Sequence, residues 1–435
     1  MLTPAERRAK VRAVIKVASC NFIEAYDFII YGYYANYIAA TFFPAGTEFA
    51  SLMNALVVYG AGFLMRPLGA IFLGAYMDRK GRKQGLILTL GLMALGTLSI
   101  AITPSYATIG ILAPILIVAG RLIQGLSAGA EFGGVAIYLA EIATPGRRGF
   151  YCSWQAVSQQ VAVVFSAAFG FALTLLVTPE QMTLWGWRVP LLAGIIAIPL
   201  ILWIRNSLAE TEAFKHSRHV RSTSEVVSIL AANWKLILDG VALIVMTTTS
   251  FYLITAYTPT YARAALHMDP NTVFLVTLLV GLSNLAWLPV GGILTDKYGA
   301  RPLMLAVTAA ALVTVYPAMM WLIAGPSFAK LVAVLLLYSV YFGLYNGALI
   351  PLLAEIMPHE VRTAAFSLAF VTATAIFGGF TPAVCTYLIE VTGNRAAPAL
   401  WLSLAALISL IAAFILPAVQ TARSGRTQAA LEAGH

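Results

Sequence analysis

Charge is scarce in this chain. Of 435 residues only 10% are Asp, Glu, Lys or Arg, where soluble domains carry roughly a quarter. With 60% of residues hydrophobic, a soluble globular fold is excluded. Cysteine is rare as well: Cys20, Cys152 and Cys385 show no C-x-x-C spacing, so neither a disulfide framework nor a thiolate metal site is indicated. His216 and His219 are close together, but they lie in a polar stretch that reads as a solvated linker and not as a metal site. A nucleophile with a matching base, a cofactor fingerprint and a phosphate-cradling G-x-x-x-x-G-K-[ST] loop are all missing, which argues against an enzyme and against a primary pump.

Long apolar runs are what the chain has in abundance. A helix needs roughly 20 apolar residues to cross the hydrocarbon of a bilayer. Twelve candidate spans satisfy that, at 14–41, 51–76, 84–103, 109–142, 150–177, 187–205, 236–262, 271–295, 303–324, 329–357, 363–390 and 398–418. The expected architecture is an all-α integral membrane protein of twelve transmembrane helices in two pseudo-symmetric six-helix halves. The first half takes residues 1–205 and the second 236–418, with a polar linker at 206–235 and a disordered tail at 419–435. A charged lead runs into a full-length first span, which is expected to stay in the membrane rather than be cleaved.

Lysine and arginine set the orientation. Placing both termini in the cytoplasm puts 21 of the 27 in inner segments and 4, Arg188, Arg263, Lys330 and Arg395, in outer loops. The remaining two, Arg66 and Arg121, fall inside spans. The net charge of +9 therefore reads as topology and contact with anionic lipid, not as nucleic-acid binding.

The halves echo each other. Gly74-Ala75-Tyr76-Met77-Asp78-Arg79-Lys80-Gly81-Arg82-Lys83 returns in degraded form as Gly292-Ile293-Leu294-Thr295-Asp296-Lys297-Tyr298-Gly299-Ala300-Arg301, the two aspartates 218 residues apart. Glu141-Ile142-Ala143-Thr144-Pro145 and Glu355-Ile356-Met357-Pro358 repeat 214 residues apart. Two echoes at nearly one spacing point to a duplicated, two-half membrane protein.

The first copy resembles the G-x-x-x-D-R-x-G-R-K signature of the major facilitator superfamily, matching at Gly74, Asp78, Arg79, Gly81, Arg82 and Lys83. The resemblance implies that Asp78, Arg79 and Arg82 latch the cytoplasmic side. The second copy, with Lys297 and Ala300 in place of arginines, is expected to be a weakened latch at Asp296. Glu131 and Glu141 join the structural and gating candidates.

Several polar groups lie deep in apolar spans, where they are costly and usually functional. At 100° per residue Glu24, Asp27, Tyr31 and Tyr34 share one side of the first helix, which should face a polar cavity; Glu24 is also explained as an interfacial carboxylate. Arg66 is too deep to snorkel, and either an ion pair or substrate contact accounts for it. In the fourth span Gly125, Gly129 and Gly133 allow close helix approach. There Arg121 is expected to face the cavity, while Glu131 points sideways toward Arg66. Gln155 and Gln159, four apart, serve either as substrate donors or as helix-to-helix glue. The second half holds neutral groups instead: Thr248, Tyr252, Thr255, Asn284, Asn346 and the helically spaced Tyr338, Tyr341 and Tyr345, which packing explains equally well.

Asn21 to Asp27, Met65-Arg66-Pro67-Leu68-Gly69, Gly120-Arg121-Leu122-Ile123-Gln124-Gly125 and Glu131-Phe132-Gly133-Gly134 resemble the metabolite:proton symporter branch of the superfamily. With Ser153-Trp154-Gln155 and Tyr257-Thr258-Pro259-Thr260-Tyr261 added, the likeness is greatest to bacterial citrate-proton and tricarballylate-proton symporters. That resemblance implies import of a tricarboxylate with H⁺ as coupling ion and no other cofactor, by a monomer in the bacterial inner membrane. It carries a coupling-pair role onto Asp27 and Arg121, with Glu24 a further proton-coupling candidate. Competition for one cation explains such a pair: a substrate carboxylate that draws Arg121 away leaves Asp27 to take a proton, so the two bindings favour each other. Arg121, Arg66, Tyr34, Gln155, Gln159, Tyr341 and Asn346 are the candidate substrate donors. Related anions such as α-ketoglutarate or shikimate are the alternative substrates, and a transporter-fold sensor is a more distant one.

Overall fold

In hydrocarbon only a helix satisfies every backbone group of an isolated span. The computed structural model describes residues 14, 22, 24–80, 82–129, 132–196, 223–358 and 361–432, and all the regular structure among them is helical. Twelve helical spans follow one another. The first half holds α1 (24–33, continuing as Ala35–Phe42), α2 (Glu48–Leu64, continuing as Arg66–Lys80), α3 (Arg82–Ile102), α4 (Leu112–Ala128, resuming as Phe132–Ile142), α5 (Arg148–Leu176) and α6 (Gly186–Ile196). The second holds α7 (Trp234–Ala256), α8 (Pro270–Tyr298), α9 (Ala300–Ile323), α10 (Phe328–Ile356), α11 (Arg362–Thr392) and α12 (Ala397–Leu416). Large apolar side chains such as Ile71, Phe72, Leu176, Ile196, Val313 and Phe414 are exposed on these helices, the surface a lipid environment requires.

The pseudo-symmetry shows in how the halves meet. α5 and α8 run antiparallel in contact along their length: Gly149 lies against Gly292, Val164 against Gly281, and Gly170 against Phe274. The equivalent pair, α2 and α11, touches through Gly60 and Phe380 and through Phe63 and Gly379. Toward the opposite face Arg362–Ala373 of α11 packs on Arg66–Lys80 of α2 and on Phe132–Ile142 of α4. The halves therefore touch on both sides of the molecular centre, an occluded arrangement.

Close approach within the first half is a matter of missing side chains. A Cβ on Gly125 would sit 1.7 Å from the Gly62 carbonyl oxygen, and one on Gly129 would sit 1.9 Å from that of Arg66. The glycine stripe of α4 thus sets the α2–α4 distance, as its spacing suggests.

Four local features depart from the sequence reading. α7 includes a π turn at Tyr252–Ala256 and α11 another at Thr374–Gly378, in spans that read as uninterrupted helices. The second part of the polar linker forms a helix, Thr223–Ala232. The chain beyond α12, read as a disordered tail, continues the same helix to Glu432, in keeping with its content of Ala, Arg, Gln, Leu and Glu.

Candidate substrate and proton site

Four charged side chains are buried near the centre of the first half: Glu24, Asp27, Arg66 and Arg121, with 7%, 3%, 4% and 0% of their surface exposed. Helix α1 brings the carboxylates in on one face, as its periodicity requires. Glu24 meets Arg66 of α2 in an ion pair of 3.4 Å. The carboxylate at Arg66 is therefore Glu24; Glu131, the partner expected from sequence, lies outside the described residues.

Asp27 is held differently. Its Oδ2 accepts a hydrogen bond from the Thr97 hydroxyl of α3 and a longer one, 3.3 Å, from Gln124 Nε2 of α4. Gln124 Nε2 also donates to Thr97 Oγ1 at 2.8 Å, while Gln124 Oε1 accepts from Arg121 Nη1 at 2.7 Å. Asp27 and Arg121 make no direct ion pair within 4.0 Å. One amide connects them, using its acceptor on the cation and its donor on the anion. The direct pair expected from sequence is thus a bridged pair.

Arg121 has no anionic hydrogen-bond partner among the described residues. Besides Gln124 it reaches only the Tyr59 carbonyl, at 3.5 Å, and its Nε makes no hydrogen bond. Aromatic faces supply the rest of its surroundings, with the guanidinium carbon 4.4 Å from the Phe28 ring centroid, 4.5 Å from Tyr31 and 5.1 Å from Tyr59. Desolvated contacts of this kind are worth about 2 kcal/mol each. Rings stabilise a buried cation without neutralising it, so an incoming anion finds the positive charge still available. Phe28 serves both arginines, since Arg66 stands 4.3 Å from the same ring and 4.2 Å from Phe63.

The second half closes over this cluster with neutral groups. Tyr252, in the π turn of α7, packs edge-on against Phe63 at 5.2 Å and faces Tyr59 at 6.5 Å. Around it Thr248 and, in the π turn of α11, Thr374 bury hydroxyls that make no hydrogen bond in the structure. A π turn frees backbone geometry at such positions and is common at functional sites.

The other sequence candidates divide. Tyr34 is fully buried with an unpartnered hydroxyl, its ring 5.8 Å from Phe274 of α8. Gln155 is buried on α5, whereas Gln159 is half-buried. Asn346 is buried and donates to Thr247 Oγ1 at 2.8 Å, leaving its own Oδ1 unpartnered. Tyr341 is not brought to this cluster: its half-buried hydroxyl pairs with Thr314 of α9 at 2.7 Å. Tyr338 and Tyr345 donate to the carbonyls of Val315 and Leu243, which is packing.

Gln160 and Asn284 belong to a chain missed from sequence. Asn284 Nδ2 donates to Gln160 Oε1 across the α5–α8 seam at 3.1 Å, and Asn284 Oδ1 accepts from Ser339 of α10 at 2.6 Å. At one end of that seam Asp296 accepts from the backbone N–H groups of Gly149 at 2.6 Å and Phe150 at 3.0 Å. A carboxylate of the second half thereby caps the first turn of α5. These partners are backbone amides at a helix terminus, and the contact does not involve the arginine missing at Ala300. Glu141 is exposed at the end of α4. The side chains of Asp78, Arg79 and Arg82 lie outside the described residues.

Two features now stand together, a twelve-helix fold with a twofold internal echo and a buried arginine–carboxylate cluster in its first half, over which the second half closes. The family model of the Major Facilitator Superfamily matches residues 17–382. The chain belongs to the major facilitator superfamily. Within it the chain is 53% identical over 420 residues to a citrate-proton symporter of Klebsiella pneumoniae, covering 95% of each chain. It is 52% identical over 415 residues to a citrate-proton symporter of Salmonella typhi, covering 95% of this chain and 96% of that protein. Among solved structures a D-xylose-proton symporter superposes with a TM-score of 0.75 at 17% identity, covering 93% of this chain and 96% of the other, which bears on the fold alone. This member of the superfamily is a multi-pass membrane transporter and not an enzyme.

Proposed function

We propose that the chain is a bacterial inner-membrane symporter that imports a tricarboxylate such as citrate or tricarballylate together with protons, by alternating access. The observation that carries this reading is Arg121, a fully buried cation held by neutral partners and tied to Asp27 through a single amide. A substrate carboxylate offers Arg121 a bidentate, charge-assisted partner that an amide oxygen cannot match. Gln124 then loses its acceptor contact, the bridge to Asp27 loosens, and the carboxylate is left buried with less compensation. Taking a proton relieves that cost. Anion and proton therefore enter together, and each release favours the other.

The remaining carboxylates of the substrate fall to Arg66, Tyr34, Gln155 and Asn346, with Tyr252, Thr248 and Thr374 contributing from the second half. Tyr341, bonded to Thr314, is assigned to packing. Rocking of the halves about this site exchanges the Asp296 cap on α5 for an open inner face. Both termini lie in the cytoplasm, following the lysine and arginine distribution, and the working unit is the monomer. The names of the citrate-proton symporters of Klebsiella pneumoniae and Salmonella typhi support the choice of substrate.

The test is uptake of labelled citrate into proteoliposomes with and without an inward proton gradient, with tricarballylate and α-ketoglutarate as competitors. Gradient-dependent accumulation blocked by tricarballylate is the expected result. Uptake of α-ketoglutarate alone moves the substrate while keeping the coupling site, and no accumulation of any of the three overturns the symport reading.

A further inference from the structure

Away from the central cluster, the face opposite the Gly299 turn carries a small cleft between the halves. Tyr33, Asn36 and Tyr37 of α1, Pro259 and Arg263 just beyond α7, and Pro270, Val273 and Phe274 of α8 line it, around a volume of about 20 Å³. That holds about one small group, a single carboxylate and not a whole tricarboxylate. Its polar equipment suits an anion. Arg263 is exposed and stacks over the Tyr37 ring at 4.5 Å. Tyr33 is 3% exposed, and its hydroxyl makes no hydrogen bond in the structure.

The nearby carboxylate does not compete. Asp269 is occupied as the N-cap of α8, accepting from Thr272 N at 2.9 Å and from its hydroxyl at 2.6 Å, which holds Asp269 below the usual carboxylate range. It stays charged and committed to the helix terminus.

The position of the cleft relative to Asp27 is informative. Asp27, Tyr31, Tyr34 and Tyr37 are spaced four, three and three residues apart, one continuous face of α1. About 15 Å of helix separates its ends. Arg263 stands over the outer end and Arg121 over Tyr31 near the inner one. Between them Phe274 packs against Tyr33, Tyr34 and Gly170, closing the way from cleft to cluster.

We propose that Arg263, with Tyr33, Asn36 and Tyr37, forms an outer capture site that takes one carboxylate of an incoming organic polyanion before Phe274 withdraws and the tyrosine face of α1 passes it to Arg121. The site rests on the symport reading above for its substrate and its sidedness. Outer loops here hold few cations, and Arg263, which makes no ion pair with the charged Asp269, offers one of them to an approaching anion at the seam.

The test uses the full chain in proteoliposomes of known orientation, with Arg263→Gln and Arg263→Lys. Arg263→Gln is expected to raise the KM for external citrate about tenfold, with a smaller change in Vmax. The same variant should leave the KM measured from the cytoplasmic face by efflux within twofold of the parent. Arg263→Lys, which keeps the charge, should recover at least half of the loss. An unchanged external KM in Arg263→Gln overturns the site, and so does an equal rise on both faces, which marks a structural effect. If the parent protein itself accumulates no citrate, the symport reading fails first, an outcome separate from either of these.

Discussion

The two halves of the molecule share a fold and differ in what they bury. Around the centre of the first half stand two carboxylates and two guanidinium groups. At the corresponding depth the second half offers Thr247, Thr248, Tyr252, Thr374 and Asn346, all neutral. Charge in a bilayer is retained where it performs a function that a neutral group cannot. Moving protons is such a function, whereas recognising a hydroxyl or completing a carboxylate's hydrogen bonds is not. In the proposed symport mechanism coupling belongs to the first half, and closure and selectivity to the second. A second difference lies in the backbone: among the described residues the π turns occur in α7 and α11, both in the half that buries no charged side chain.

The sharpest way to break this division is at Arg121. Arg121→Gln removes the cation that substrate and Asp27 share, and a lost charge-assisted contact of about 3 kcal/mol predicts roughly a 100-fold fall in citrate uptake. Thr248→Val, on the neutral side, should cost about tenfold or less in initial rate. Equal losses would erase the distinction between the halves.

The bridge comes next. Gln124→Leu leaves both charges in place and cuts the link between them, leaving Asp27 and Arg121 each short of a partner. Uptake should fall by about ten- to thirtyfold, with a reduced number of protons moved per citrate, read from a pH-sensitive dye trapped in the vesicles. Normal stoichiometry in that variant would show that the two groups communicate without the amide.

Glu24 and Arg66 form the second charged pair, and here stability is the readout. Glu24→Gln strands a buried guanidinium, at a cost of about 3–5 kcal/mol, visible as a lower melting temperature in detergent. The double variant Glu24→Gln with Arg66→Gln should recover most of that loss if the pair is structural. Recovery of stability without recovery of transport would place Arg66 at the substrate.

The smallest effect is expected at the seam. Asp296→Asn weakens the cap on α5 by about 1 kcal/mol, enough to shift the population toward the inward-open form by roughly fivefold. Cysteine accessibility on the inner face of α5 measures this directly, and an unchanged labelling rate would remove the latch from the account.

Much of this organisation is legible in the amino acids, for identifiable reasons. Apolar length fixes the spans, and a charge in the middle of one, as at Asp27 or Arg121, stands out because the bilayer makes it expensive. The glycines of α4 reveal themselves by their spacing. What periodicity does not give is the rotation of one helix relative to its neighbours. Tyr34 and Tyr341 look alike in sequence, yet one buries an unpartnered hydroxyl and the other bonds Thr314. Arg66 needed an anion, and helical geometry pointed to Glu131 of the fourth span, whereas the fold brings Glu24 of α1 against α2.

Gln124 had a usable signal, lying three residues after Arg121 and so on the same face. Thr97 had none. A threonine in a span routinely satisfies itself on the carbonyl four residues back, and Thr97 also lies 2.9 Å from the Met93 carbonyl oxygen. Its role at Asp27 exists only in three dimensions. Asp296 is marked by the repeated motif, but its partners, backbone amides of a helix 146 and 147 residues away, appear only in the fold.

The measurement that bears most directly on the central claim, that the proton is carried at Asp27 of the first half, compares two assays on one variant. Asp27→Asn is to be reconstituted and followed both for citrate accumulation driven by an inward proton gradient and for citrate exchange at equilibrium. Accumulation is expected to disappear while exchange persists, since the amide still fits between Thr97 and Gln124 but cannot take up a proton. Full gradient-driven accumulation by Asp27→Asn would contradict the claim.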